Sequence, residues 1–170
     1  MKKVVIIGPE STGKSTLARQ LAEHYKAPWV PESAREYLDQ LTRPYEESDL
    51  LKIAQEQWAR EQQAAKNQPP WLFCDTDLRV IKIWSEYKYG HTHSWILEQI
   101  NRSSCDLYLL TDIDLPWEPD PQREHPHQRE ELLGLYLKEL TESGYPFKRI
   151  QGVRQSRFQQ ALQALQALRL

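Results

Sequence analysis

An N-terminal segment combines the residue types that bind a nucleotide phosphate. Residues 8–15 match the pattern G-x-x-x-x-G-K-[ST], between the apolar run 4–7 and an amphipathic stretch. Glycines let a loop close around a phosphate, and the following helix directs its first N–H groups at the anion. The lysine adds a positive charge, and the serine hydroxyl is suited to Mg²⁺. We expect the nucleotide ligands to be Gly8, Glu10, Ser11, Thr12, Gly13, Lys14, Ser15 and Thr16.

Two residues of this loop are unusual for a phosphate site. Pro9 has no N–H group to donate, and the carboxylate of Glu10 repels a polyphosphate unless it points away. Two interpretations of Glu10 stay open. Its side chain is either solvated at the rim of the loop or faces a second substrate across the γ-phosphate.

Acidic residues follow two further predicted strands. Asp75 and Asp77 come directly after one apolar segment, and Glu32 comes after another. Ligands bind at the carboxyl ends of parallel strands, where a carboxylate can hold Mg²⁺ directly or through water. We expect Asp75 to bind the metal together with Ser15. The base that contacts the attacking hydroxyl is expected to be Asp77, Glu32 or Asp75, and the alternative for Asp77 and Glu32 is a simple helix-terminal carboxylate.

A proline-rich, charged segment at about 116–130 predicts a lid. Its prolines oppose helix formation, and they are Pro116, Pro119, Pro121 and Pro126. We expect Arg123 and Arg129 to contact the transferring phosphate, where negative charge accumulates. A solvated loop with incidental arginines is the alternative.

Three further residues have positions that favour ligand contact. Arg35 lies one turn after the second strand and is expected on the substrate side, with a surface ion pair as the alternative. Gly152 and Arg157 follow the last predicted strand and are expected beside the adenine.

Composition indicates one soluble domain spanning residues 1–170. The net charge is −2 and the isoelectric point is near 6.2, which gives no sign of a nucleic-acid partner. No apolar stretch approaches membrane-span length, and no signal peptide is expected. Cys74 and Cys105 have no paired spacing and indicate buried thiols in a reducing, cytoplasmic compartment.

Alternating strand and helix patterns predict an α/β fold of the P-loop NTPase type, a five-stranded parallel sheet with helices on both faces and a small lid. The predicted strands are 4–7, 29–31, 71–74, 106–111 and 147–151. The predicted helices are 14–25, 32–40, 49–66, 78–87, 96–102, 129–142 and 154–170, and Ser48 is expected to cap the third.

Missing motifs narrow the class of P-loop protein. The chain has neither the D-x-x-G and N-K-x-D motifs of a regulatory GTPase nor an apolar strand ending in Asp-Glu, as is usual in motor or AAA-type ATPases. Acidic strand ends and an arginine-bearing lid favour a small-molecule kinase that uses ATP and Mg²⁺.

Four motifs resemble the ribosylnicotinamide kinase domain of NadR-type proteins, which are P-loop small-molecule kinases of the AAA-like NTPase superfamily. They are G-x-E-S-x-G-K-S at 8–15, E-x-x-R-E at 32–36, D-T-D at 75–77 and a W-x-x-D-x-x-R lid entry at 117–123. The resemblance runs in order over about residues 3–150. It implies transfer of the γ-phosphoryl group of ATP to the 5′-hydroxyl of nicotinamide riboside, giving nicotinamide mononucleotide.

The same resemblance implies a set of substrate contacts. Trp58 matches an aromatic that stacks on the nicotinamide ring, and Pro31 stands where the family often has Trp, so Trp29 is the expected substitute. Pro121 replaces the lid glycine and stiffens the entry. The expected substrate-binding residues are Glu10, Trp29, Glu32, Arg35, Trp58 and Asp77, and the expected catalytic residues are Lys14, Glu32, Asp75, Asp77 and Arg123. A kinase for another nucleoside or nucleotide, or a nucleotide-dependent regulatory module, remains the alternative.

Overall fold

A parallel sheet forms the centre of the molecule. The computed structural model describes residues 1–125, 127–153 and 155–168. In these ranges five strands lie in the order β2-β3-β1-β4-β5, and every neighbouring pair is parallel. The strands are β1 (Lys2–Ile7), β2 (Trp29–Val30), β3 (Trp71–Asp75), β4 (Leu107–Thr111) and β5 (Phe147–Ile150). The predicted α/β sheet is confirmed.

Helices connect the strands, as parallel pairing requires. They are α1 (Lys14–Tyr25), α2 (Ser33–Asp39), α3 (Glu47–Ala65), α4 (Leu78–Tyr89), α5 (Ser94–Arg102), α6 (Arg129–Ser143) and α7 (Gln155–Ala167). The expected ends of the last helix, Arg154 and Leu170, lie outside the described residues, as do Arg169 and the lid residue Pro126.

The sheet is buried on both faces because its strands are apolar at successive positions. Val5 and Ile7 of β1 face a core that includes residues of α4 and α6. Val4 and Ile6 face the opposite core, which α1 and α7 complete. Alternate residues of one strand therefore hold helices on both faces, as expected.

A third apolar cluster lies between α2, α3, α4 and α5. Ala34 of this cluster, with Leu38 and Trp84 packed against it, lines the cavity of the candidate site. None of the helices in the described ranges combines the length and apolar character needed to cross a bilayer.

The start of α3 differs from the prediction. The helix begins at Glu47, with Glu46 rather than Ser48 as its N-cap. The reason is the buried carboxylate of Asp49, which accepts a hydrogen bond from the Glu46 N–H group at 2.8 Å and from both guanidinium ends of Arg43. This reciprocal cap satisfies a backbone donor that Ser48 would leave free.

Candidate active site

The phosphate loop depends on glycine at two positions. Gly8 has φ of +148°, and a Cβ atom there would lie 2.5 Å from Thr111 Oγ1 and 2.7 Å from the Thr111 carbonyl oxygen. Gly13 has φ of +77° and is the N-cap of α1. Side chains rarely adopt either conformation, so the motif's glycines are required by the backbone of the loop.

Side chains inside the loop hold its shape. The Thr12 hydroxyl donates to the Pro9 carbonyl at 2.7 Å and lies 2.7 Å from Thr111 Oγ1. Lys14 Nζ donates to the same Pro9 carbonyl at 2.9 Å. Pro9, which cannot donate, therefore serves the loop as an acceptor.

The N-terminus of α1 is suited to an anion. Its N-cap, Gly13, makes no side-chain capping bond, and no acidic residue lies in the first turn. No carboxylate of the helix's own first turn therefore competes for the first N–H groups or the positive end of the helix dipole. This arrangement favours a bound phosphate.

The loop opens into a cavity of about 810 Å³, a size suited to a nucleotide and a small acceptor. Its polar lining includes residues 8–16 of the phosphate loop together with Glu32, Arg35, Arg123 and Arg157. Its apolar and aromatic lining includes Leu38, Val80, Ile83, Trp84, Tyr87, Leu132 and Tyr136.

A buried carboxylate, that of Asp75, lies close to the lining residues Glu32, Lys14 and Ser15. Asp75 is 1% exposed, and burial followed by the nearby Glu32 raises its pKa to about 6, against partial relief from Lys14 and the Ser15 hydroxyl. Asp75 Oδ1 is buried without a hydrogen-bond partner in the described part of the chain. Mg²⁺ prefers oxygen ligands, and the Asp75 carboxylate has one buried oxygen without a partner in the described structure. Asp75 and the Ser15 hydroxyl would therefore hold this ion.

Glu10 contacts the lid. Its carboxylate accepts hydrogen bonds from the backbone N–H groups of Glu124 at 3.3 Å and His125 at 3.1 Å. Neither interpretation from the sequence included this contact. The loop's acidic residue thus ties the phosphate site to the lid by backbone bonds that no side-chain pattern reveals.

The two lid arginines differ in position. Arg123 lines the cavity, and its Nη1 lies 3.4 Å from Ser11 Oγ of the phosphate loop. Arg129, the first residue of α6, donates to the Leu115 carbonyl at 3.0 Å and packs 5.6 Å from the Trp117 ring centroid. Among the described cavity residues Arg123 is present and Arg129 is not, so a phosphate contact for Arg129 stays a prediction.

Arg35 reaches both the cavity and the lid. Its Nη1 donates to Asp120 Oδ2 at 3.0 Å, and the side-chain amide of Gln122 donates to its carbonyl at 3.1 Å. These contacts hold the lid over α2.

Arg157 lies under the phosphate loop. It is 5% exposed, donates from Nη1 to the Thr12 carbonyl, and donates from Nε to the Gly152 carbonyl at 2.6 Å. Its Nη2 donates to the Asp112 carbonyl at 2.9 Å and to Asp114. The expected place beside the adenine stays a prediction, and the described contacts are with the loop's backbone.

Three expected substrate residues are absent from the described lining of the cavity. Asp77 caps α4 by accepting from the Arg79 N–H at 2.9 Å, and its other oxygen accepts from the Tyr108 hydroxyl at 2.7 Å. Trp29 packs against the core shared with α1 and α7, and Trp58 packs against the α2–α5 cluster. Their substrate roles stay predictions.

The aromatic wall was not predicted from the sequence. It comes mainly from α4, where Val80, Ile83, Trp84 and Tyr87 all line the cavity. Their spacing of i, i+3, i+4 and i+7 marks one helix face, a signal that the sequence does contain. Which face meets a cavity rather than the core depends on tertiary packing.

Comparison with known proteins agrees with this fold. A family model described as AAA_28: AAA domain matches residues 3–157. The trifunctional NAD biosynthesis/regulator protein NadR of Escherichia coli (strain K12) is 26% identical over 159 residues, which make up 89% of this chain and 38% of the relative.

Solved structures share the fold. The crystal structure of NadR protein in complex with NR has a TM-score of 0.82 at 21% identity and covers 98% of this chain and 50% of that chain. Thymidylate kinase from Ehrlichia chaffeensis has a TM-score of 0.69 at 15% identity and covers 98% of both chains. The chain spans half or less of the NadR proteins it matches. The resemblance to NadR-type domains is confirmed.

Proposed function

The chain belongs to the AAA_28 family of AAA domains, and from that premise we propose that it is an ATP-dependent kinase for nicotinamide riboside. The observation that carries this proposal is one continuous cavity. It joins a phosphate loop to an aromatic wall, with the carboxylate of Glu32 among its lining residues. Such a cavity brings an acceptor hydroxyl close to a γ-phosphate, and proximity is the largest requirement of phosphoryl transfer.

The phosphate side of the reaction is assigned to the loop and the lid. Lys14 leaves the Pro9 carbonyl to bind the β- and γ-phosphates, and Arg123 neutralises charge on the transferring group. Mg²⁺, when held by Ser15 and Asp75, supplies charge neutralisation across the phosphate oxygens. The lid excludes water, which limits transfer to solvent.

Glu32 is the proposed base. It lines the cavity beside Asp75, whereas both carboxylate oxygens of Asp77 accept hydrogen bonds in the described structure. A base needs a free oxygen within reach of the attacking O–H. Of the carboxylates left open from the sequence, Asp75 is assigned to the metal, and this geometry favours Glu32 over Asp77 as the base.

The aromatic wall suits a planar, cationic acceptor. Trp84 and Tyr87 line the cavity, and Glu32 provides negative charge at the same cavity. A pyridinium ring is attracted to both. The relative from Escherichia coli is described as a NAD biosynthesis protein, and one similar NadR structure is a complex with NR. Both support this choice of substrate.

The test is a direct assay with a matched control. Purified protein with Mg-ATP is expected to convert nicotinamide riboside to nicotinamide mononucleotide, and Lys14→Ala is expected to lower kcat at least about a hundredfold, since it removes charge from the transition state. Lys138→Ala, a change of one exposed lysine in α6, is the control. Failure to form the mononucleotide refutes the substrate. If ADP is released with another nucleoside in a substrate panel, that nucleoside is the substrate instead. If ATP turnover is slow and no acceptor changes its rate, a regulatory module is favoured.

A further inference from the structure

The hydroxyl of Tyr45 joins two parts of the cavity that are distant in sequence. Tyr45 Oη accepts a hydrogen bond from Trp84 Nε1 at 2.8 Å and donates to Glu124 Oε2 at 2.7 Å. Trp84 belongs to the aromatic wall, and Glu124 belongs to the lid. One hydroxyl group therefore connects the wall that faces the acceptor to the segment that covers it.

The bridge continues to the phosphate loop. The backbone N–H of Glu124 donates to Glu10 at 3.3 Å, so the same lid residue contacts the wall through its side chain and the loop through its backbone. His125 adds a second N–H bond to Glu10 at 3.1 Å. A continuous chain of hydrogen bonds thus runs from Trp84 through Tyr45 and Glu124 to Glu10.

Contacts on both sides hold Tyr45 in place. It stands between Arg43 and Glu46, which are both anchored on the buried carboxylate of Asp49 at 2.7 Å and 2.8 Å. Its ring meets Trp84 edge-on at a centroid distance of 4.9 Å, and Lys88 Nζ lies 3.6 Å from the ring centroid. The bridging hydroxyl therefore lies on a loop that is anchored through its neighbours and through its own ring contacts.

The charge environment of Tyr45 determines which group donates in each of its two hydrogen bonds. Burial and the hydrogen bond to Glu124 raise the pKa of the Tyr45 hydroxyl well above its usual range. The hydroxyl therefore stays protonated at physiological pH and donates to the carboxylate, while the indole N–H supplies its own proton.

We propose that Tyr45 is a positioning residue that couples occupation of the acceptor site to closure of the lid. This inference rests on the proposed kinase function. An acceptor packed on Trp84 holds the indole N–H towards Tyr45, which in turn holds Glu124 and the lid. Because coupling between two binding events is reciprocal, the acceptor and the nucleotide tighten each other's binding through this bridge.

Hydrogen exchange of the lid gives a test that needs no acceptor. Tyr45→Phe removes only the hydroxyl and keeps the ring contacts, so the Glu124 and His125 amides are expected to exchange about three- to tenfold faster in the free protein. Tyr145→Phe is the matched control, because the hydroxyl of Tyr145 donates to the Ser103 carbonyl at 2.9 Å, away from the lid. Equal exchange in Tyr45→Phe and the unaltered protein overturns the proposal.

A second measurement tests coupling. The dissociation constant of AMP-PNP is measured with and without nicotinamide riboside, and the factor by which the riboside tightens it is expected to fall about three- to tenfold in Tyr45→Phe only. An unchanged factor overturns the coupling role. If the riboside does not bind at all, the substrate assignment fails, and the exchange of the lid amides alone decides whether Tyr45 holds the lid.

Discussion

At the scale of single residues, Asp75 shows how a buried carboxylate can lower the stability of the fold. Its carboxyl is nearly fully buried, and one of its oxygens has no hydrogen-bond partner in the described structure. Burial and Glu32 raise its pKa to about 6 from 3.8. An acid with a raised pKa destabilises the folded chain above that pKa, and the cost is relieved as the pH falls towards the unfolded value.

Asp75→Asn is therefore expected to stabilise the ligand-free protein while abolishing its use of Mg²⁺. The gain in unfolding free energy approaches about 3 kcal/mol above pH 7 and shrinks towards pH 4, because only the ionised carboxylate carries the cost. Urea unfolding at several pH values measures it. The variant should also lose the part of ATP binding that depends on Mg²⁺. A gain that is the same at pH 4 and pH 8 would exclude the buried charge as its cause.

Residue positions were predictable where a motif fixes them. The loop pattern alone placed Lys14 and Ser15 at the start of α1 and at the cavity, and their roles stay predictions. Glu10 was not, because its partners are backbone N–H groups of residues 124 and 125, more than a hundred positions away. A pattern of side-chain types cannot predict a hydrogen bond to the backbone N–H group of a distant residue.

At the scale of elements, the turn from β1 into the phosphate loop tolerates only glycine at its first position. A methyl group on Gly8 meets both the side chain and the carbonyl of Thr111 on β4, and φ there is +148°. Gly134 lies within α6, where a Cβ atom would meet open space. The two glycines therefore form a contrasting pair within one chain.

Gly8→Ala is expected to lower the unfolding free energy by about 2–4 kcal/mol, from backbone strain and overlap with Thr111. Gly134→Ala is expected to raise it by about 0.5–1 kcal/mol, because alanine restricts the unfolded chain and favours the helix. Thermal unfolding of both variants measures the difference. Similar shifts in the two would show that the loop accommodates a side chain.

The ends of helices and strands were predictable to within a few residues, because the periodic apolar pattern begins and ends close to them. The exception at α3 arose from Asp49, whose carboxylate serves the cap, Arg43 and Tyr37 at once. The aromatic face of α4 shows a related limit. The spacing of the apolar residues along α4 predicts that one face of the helix is buried. That this face lines a cavity depends on how the surrounding elements pack, which the spacing does not reveal.

At the scale of the whole molecule, long-range contacts assemble the site. The sheet brings acidic strand ends to one edge, which its alternating pattern predicted. The lid is then fixed by partners on α2, the Tyr45 loop and the phosphate loop, for example Arg35 with Asp120 and Tyr45 with Glu124. These pairs are separated by 85 and 79 residues, so local sequence does not specify them.

Arg157 provides the corresponding link from the C-terminal helix. One guanidinium group joins α7 to the carbonyls of Thr12, Asp112 and Gly152, which follow three different strands. A trans peptide places its C=O and N–H groups on opposite sides. By holding the Thr12 carbonyl, Arg157 also fixes the direction of the Gly13 N–H at the start of α1.

Arg157→Gln is expected to weaken binding of ATP and of inorganic tripolyphosphate by a similar factor, about tenfold, because a shorter side chain releases the loop that binds both. Calorimetry with each ligand measures this, and Arg149→Gln is the control, since Arg149 pairs with Asp112 at 2.6 Å and is 43% exposed. Its loss should leave both affinities unchanged. If Arg157→Gln weakens ATP but not tripolyphosphate, the residue instead contacts the nucleoside, as its place after the last strand first suggested.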